Sequence, residues 1–230
     1  SKFGRFVTNK MMRNVIGQSQ SSFDFRKVMD EKKILLVNLS KGELGEENAQ
    51  FLGLVLVPRI LTAAMSRIDL LSKGEDFPDF YMYVDEFQNF ATPDFASIMS
   101  EARKFKLNLV VANQYIAQME EDIKNAVFGN VGSIISFRVG VADAQFLAHE
   151  YAPTFSETDL VNVEGQSVFV KTIVKGQPVP AFTMSVLKDM VTQKAAMRRD
   201  VADAIVKLSR LKYGREAKVV EQEIGSRSRL

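Results

Sequence analysis

Short apolar runs alternate with longer stretches of helical spacing along the first 190 residues. Phe3, Phe6, Val7, Met11, Val15 and Ile16 are loosely helical and stop at Gly17. Phe23 to Met29 gives one or two helical turns before the run Ile34-Leu35-Leu36-Val37-Asn38-Leu39. That run needs no alternation if it is a central parallel strand covered on both faces. From Glu46 to Leu71 the apolar positions reach around most of a helix, which predicts burial on several sides, and Pro58 predicts a kink or break just before it. Phe80-Tyr81-Met82-Tyr83-Val84 predicts a strand. Thr92-Pro93 is a helix start with Thr92 as N-cap, and Phe95, Ile98, Met99, Ala102 and Phe105 form one face of the helix it opens.

The same alternation continues with a strand at Leu107–Ala112, a helix at Ala117–Phe128, a strand at Ser133–Val139 and a helix at Ala142–Glu150. Strand and helix taking turns, with short connections, predict an α/β fold with a doubly wound, mostly parallel sheet. After a helical turn at Glu157–Leu160, the segments Ser167–Val174 and Pro180–Val186 flank Lys175-Gly176-Gln177 and predict a C-terminal hairpin. From Lys188 to Lys212, Met197, Val201, Ala204, Leu208 and Leu211 recur at four and three residues, a narrow apolar seam suited to packing on another helix or subunit. The residues beyond Gly214 are polar enough to fray. This divides the chain into a body, 1–187, and a helical tail, 188–230.

Composition sharpens that division. The 230 residues are 46% hydrophobic, enough for one good core with something appended. Net charge is only +2, yet residues 188–230 hold eleven bases against six acids and the body 19 against 22. A basic tail on a slightly acidic body points to a polyanion or a charged neighbour near the tail. The absence of cysteine excludes disulfides and thiolate metal sites, and the single histidine, His149, excludes a His-rich site and is expected to be structural. No apolar run looks long enough to cross a bilayer, so the expected place is the cytoplasm, with any membrane association through parts not present here. The chain opens on Ser1 without a start methionine, as a piece of a longer polypeptide would.

The candidate chemistry lies at strand ends. Inside a strand Asp85 and Glu86 would point to opposite faces; where the strand stops they can serve one ligand, at the edge where open parallel sheets bind. Four apolar residues followed by Asp and Glu form the Walker B pattern of nucleotide-driven motors, in which the first acid holds Mg²⁺ and the second orients water. Gln114, at the end of the next strand, can sense a γ-phosphate or serve as a loop hydrogen bond. Arg138 either lines the same site or pairs with an acid at the core edge. The aromatics Phe80, Tyr81, Tyr83 and Phe87 are expected to serve the core.

The segment from Tyr81 to Gln114, with VDEFQNF and SEARKFKLNLVVANQ, resembles the second half of the motor domain of FtsK/HerA-type DNA-pumping ATPases, nearest to the coupling proteins of type IV secretion and conjugative transfer. DEKKILLVNLSKGELGEENAQFLG before it and GNVGSIISFRVGVADAQFLAHEYAP after it extend the likeness over nearly the whole chain. The resemblance implies a RecA-like P-loop NTPase fold, a homo-oligomeric, hexameric ring, ATP and Mg²⁺ as cofactors, and double- or single-stranded DNA and type IV secretion components as partners. It implies Asp85 as the Mg²⁺ acid, Glu86 as catalytic base, Gln114 as sensor, Arg103 as an arginine finger reaching a neighbouring subunit, and Arg138 near the nucleotide. One departure is large: no G-x-x-x-x-G-K-[ST] occurs, and Gly42-Glu43-Leu44-Gly45 lacks the lysine and hydroxyl that bind phosphate and metal. The chain alone is therefore expected to bind ATP poorly and to be inactive. Two alternatives stand beside the motor: a docking or assembly domain of the same fold that uses the Met197–Leu211 seam, and an ATPase that moves protein.

Overall fold

The structure, a computed structural model, describes residues 4, 8–92, 99, 101–186 and 190–227. Along it run α1 (Lys10–Ile16), α2 (Phe25–Asp30), α3 (Lys41–Leu44), α4 (Glu46–Met65), α5 (Ile68–Lys73), β1 (Phe80–Val84), β2 (Leu107–Val111), α6 (Glu121–Asn130) and β3 (Ile134–Ser136). α7 (Val141–Tyr151), α8 (Glu157–Asn162), β4 (Ser167–Val174), β5 (Gln177–Ser185), α9 (Met190–Ala196), α10 (Arg199–Tyr213) and α11 (Ala217–Arg227) follow. The expected helix start at Pro93, with Phe95 and Ile98, lies outside the described residues. The chain forms two compact units: Ser1–Met82 with Lys104–Asn108 and Ala196–Leu230, and Tyr83–Arg103 with Leu109–Ala195.

In the first unit α4 is the core helix, burying Ala49, Gly53, Val57, Ile60, Leu61 and Ala64. Of the kink or break expected at Pro58, the break does not occur: the helix runs on for two turns, to Met65, with Ser66 as its C-cap. Proline removes one donor from the ladder, but the turn below it is supported by the Thr62 hydroxyl, which donates to the Pro58 carbonyl at 2.8 Å. By length and composition Glu46–Lys73 is apolar enough to cross a membrane, which corrects the reading above, although a core helix passes the same test. At the junction of α4 and α5 sits Arg67, fully buried. Its Nε donates to Asp30 at 2.9 Å and its Nη1 to the carbonyls of Pro78, 3.1 Å, and Phe105, 3.0 Å. Its guanidinium carbon lies 5.1 Å from the centroid of the Phe77 ring. Pro78 and Phe105 stand two residues before β1 and β2, so one guanidinium ties both strand starts to the helical layer.

The run Ile34–Leu39 forms no strand, a second correction. Ile34 is 89% and Leu36 80% exposed, and no described strand pairs with the run. An apolar sequence alone does not make a ladder; it needs a neighbour with free backbone groups. The tail also differs from expectation. The single helix over Lys188–Lys212 is interrupted at Met197–Arg198, where Arg198 turns back to make a two-pronged pair with Asp200. Residues 217–227, expected to fray, form α11 and pack on α1: Val220 is buried, and Glu221 takes bonds from Asn14 and Lys10, both at 3.1 Å.

In the second unit β3, β4 and β5 make an antiparallel sheet in that order. Val174 faces Gln177 across the β4–β5 turn, where Lys175 and Gly176 have φ of +50° and +78°, the left-handed pair that a tight hairpin requires. The hairpin expectation holds. The expected fourth strand of the mostly parallel sheet, Ser133–Val139, does not join one: only three residues pair, antiparallel to β4, with Ile134 opposite Lys171 and Ser136 opposite Phe169. Strand-forming residues carry no information about direction, and β4 takes the hydrogen bonds of β3 first. The described strands therefore do not make a doubly wound sheet. Against the antiparallel sheet lies a core of Ile116, Ala144, Leu147, Tyr151, Leu160, Val163 and Phe169. The Tyr151 hydroxyl lies within hydrogen-bonding distance of the carbonyls of Ile134, 3.2 Å, and Phe169, 3.1 Å, and burial pushes its phenol well above the usual range.

β1 and β2 pair with each other. Phe80 N–H donates to Lys106 at 2.8 Å, Ala112 N–H to Val84 at 2.9 Å and Phe87 N–H to Ala112 at 2.9 Å. The partners advance together along both segments, so the strands are parallel. Met82, Val84 and Phe87 are buried, but Tyr81 and Tyr83 are exposed, Tyr83 by 74%; β1 alternates, and only one of its faces serves the core.

Truncating Arg67 leaves two strand-start carbonyls without their side-chain donor, while Asp30 keeps Arg26 as a partner at 3.1 Å. Arg67→Ala is expected to cost on the order of 1–3 kcal/mol, the range for leaving a buried acceptor without its donor, read as a lower urea midpoint with unchanged slope.

Candidate functional site

β1 stops at Val84 because the chain then leaves extended geometry. Asp85 is exposed and its Oδ1 accepts the N–H of Glu86 at 2.9 Å. Glu86 itself takes φ +50° and ψ +45°, a left-handed conformation that costs a residue with a Cβ roughly 1–2 kcal/mol. A 3-10 turn, Phe87–Asn89, follows, and its fully buried Phe87 bonds through its N–H to the end of β2. This reversal frees the two carboxylates from the strict two-sided alternation of a strand.

The Glu86 carboxylate is held on both oxygens. Gln88 Nε2 donates to Oε2 at 2.6 Å, and Gln114 Nε2 donates to Oε1. Gln114 is exposed, three residues past the end of β2, and the parallel pairing carries it to the end of β1. The structure thus brings Glu86 and Gln114 together, with Asp85 adjacent along the chain. Gln88 was missed by sequence reasoning, since an amide two residues after an acid follows no recognisable pattern. Its Oε1 is buried and takes no hydrogen bond.

Two other candidates do not join this group. Arg103 lies exposed in the 3-10 turn Arg103–Phe105 and pairs with neither acid. Arg138 is exposed two residues beyond β3, not on a strand of the parallel pair. Among the described residues no three His, Asp or Glu side chains gather as a metal cage. A cavity of about 990 Å³ in the first unit, lined among others by Phe23, Arg59, Lys212 and Tyr213, contains none of the site residues.

Residues 79–168 match the family TraG-D_C, described as the TraM recognition site of TraD and TraG. Among solved structures the chain is similar to the bacterial conjugative coupling protein TrwBdeltaN70, in a trigonal form in complex with sulphate, with a TM-score of 0.52 and 12% identity. The likeness covers 81% of this chain and 49% of that one, so this chain spans about half the length of the solved relative. The curated proteins contain no match. Together the two matches relate the chain to the conjugative coupling proteins and agree with an α/β fold containing parallel strands.

The strained backbone at Glu86 generates a prediction. Glu86→Gly relieves the left-handed conformation while removing two exposed-to-half-buried hydrogen bonds. Thermal unfolding is expected to show stability unchanged or raised by up to about 1 kcal/mol; a clear loss would mean that the side chain is there for stability.

Proposed function

We propose that this chain is the C-terminal part of the motor domain of an FtsK/HerA-type, ring-forming ATPase that drives DNA through a conjugation or type IV secretion apparatus. The observation that supports this best is the Glu86–Gln114 contact at the carboxyl ends of two parallel strands, with Asp85 beside it. Mg²⁺ keeps most of its waters and takes one or two protein carboxylates, with phosphate oxygens completing the octahedron. Asp85 is exposed, and its Oδ1 takes the Glu86 N–H while its carboxylate offers a second oxygen, which fits that demand. ATP supplies the phosphoryl group whose transfer to water is the reaction.

Within this reading Glu86 orients the attacking water and takes its proton, and Gln88 and Gln114 set the carboxylate in place beforehand, so that little reorganisation remains at the moment of reaction. Gln114 reports the γ-phosphate to its strand. Arg103, exposed and without an ion pair among the described residues, reaches the site of a neighbouring subunit, where such a finger contributes about 10³–10⁵ in rate. The phosphate-binding loop comes from the rest of the polypeptide. Residues 79–168 are proposed to carry a surface for a TraM-like partner, by likeness to the family they match.

A specific observation favours a docking role as well. In the break after α9 and along α10, the seam residues Met197, Val201, Leu208 and Leu211 are exposed, Leu211 by 85%. Such a stripe is ordinarily covered. A labelled ATP analogue, titrated with and without a partner that carries the phosphate-binding loop, separates a motor part, which gains affinity, from a plain docking domain. Hydrolysis stimulated by DNA, with strong salt dependence of binding, separates a DNA motor from a protein-moving one.

In the intact polypeptide Glu86→Gln is expected to lower ATP turnover by at least about 10²-fold while ATP affinity stays within a few-fold; unchanged turnover removes Glu86 from this role. Arg103→Ala is expected to lose turnover in uniform rings and to regain part of it when mixed with Glu86→Gln subunits that retain Arg103, assayed by phosphate release.

A further inference from the structure

Asp143 has no part in the reading above. It is the third residue of α7 and only 6% exposed. Its carboxylate accepts two consecutive backbone amides, Ile116 N–H at 3.1 Å on Oδ2 and Ala117 N–H at 3.0 Å on Oδ1. No lysine, arginine or histidine forms a salt bridge with it among the described residues. A buried carboxylate is costly unless its oxygens are bonded, and charge-assisted bonds to N–H groups are among the stronger ones available. A side chain kept under those terms holds something in place.

What it holds is the segment after β2. The last bonds between the parallel strands engage Ala112 on both its N–H and its carbonyl. The next fixed points are Ile116 and Ala117, the first of them buried among Ala144, Leu147, Tyr151 and Leu160. Between these anchors lie only Asn113, Gln114 and Tyr115. Gln114 and Tyr115 are exposed, so packing does not set the place of Gln114; the two ends of this short span do. Asp143 grips the backbone of one end.

We propose that Asp143 is a positioning residue that fixes the reach of Gln114 Nε2 to Glu86. The proposal deepens the site reading above and rests on it for its link to turnover, but not for the contact itself. Asp143→Asn keeps size and shape and turns one acceptor toward an N–H as a donor. Asp143→Glu, which keeps the charge and displaces the oxygens, is the second variant should the first not fold by circular dichroism.

In the ¹⁵N-labelled 230-residue chain, hydrogen exchange at the Ile116 and Ala117 amides is expected to rise about tenfold or more. The Gln114 side-chain amide signals are expected to shift toward their positions in the Glu86→Gln variant. In the polypeptide that also carries the phosphate-binding loop, kcat is expected to fall about tenfold or more with KM for ATP within about twofold, as misplacement of a group near the chemistry would cause. In a Gln114→Ala background Asp143→Asn should then cost little more. Unmoved Gln114 signals overturn the proposal, and so does an equal fall in kcat in both backgrounds, which would make Asp143 a plain structural tie. If Gln114→Ala alone leaves turnover intact, the ATP reading fails, and the amide signals still decide whether Asp143 holds Gln114.

Discussion

The parallel register between β1 and β2 is the constraint on which the site depends. Two strands that run the same way finish on the same side, and hydrogen bonds at Phe80, Val84, Phe87 and Ala112 leave no freedom to slide. A slip of one residue would turn every side chain of β1 to the opposite face, burying Tyr83 and exposing Val84. It would also carry Gln114 away from Glu86. The acid–amide contact is thus a readout of backbone pairing, with the side chains adding only the last few ångströms.

Buried charges guard that register, each within its own unit. Arg67 binds the carbonyls just upstream of both strands, and its partner Asp30 ends α2. Asp143 binds the amides just downstream of β2. The two groups are of opposite sign because the chain offers carbonyls at one place and N–H groups at the other. In both cases the charge is placed against backbone, whose position does not change when surface side chains do. Such placement suits a site whose working groups are themselves exposed.

The sequence made the site more legible than the fold. Apolar residues ending in Asp85-Glu86, and a strand ending near Gln114, pointed to the two strand ends that the structure brings side by side, because strand ends depend on local pattern. Arg103 and Arg138 stand apart, since nothing local says where a loop arginine goes. The hairpin was visible in Lys175-Gly176, where backbone geometry dictates residue type. Strand direction and partner choice were not: Ile34–Leu39 and Ser133–Val139 look alike on paper, yet one is unpaired and the other joins an antiparallel neighbour. The break allowed for at Pro58 did not occur, since local sequence does not tell how firmly the packed helix around a proline holds together. Asp143 gave no signal, since an acid in the first turn of a helix is commonplace.

The prolines of β5 have a consequence for how the molecule meets others. β5 is one of the two edge strands of the antiparallel sheet, and Pro178 and Pro180 interrupt its row of amide donors. An incoming strand would find gaps where it needs hydrogen bonds. Copies of this chain held at high local concentration are thereby discouraged from zipping together along that rim.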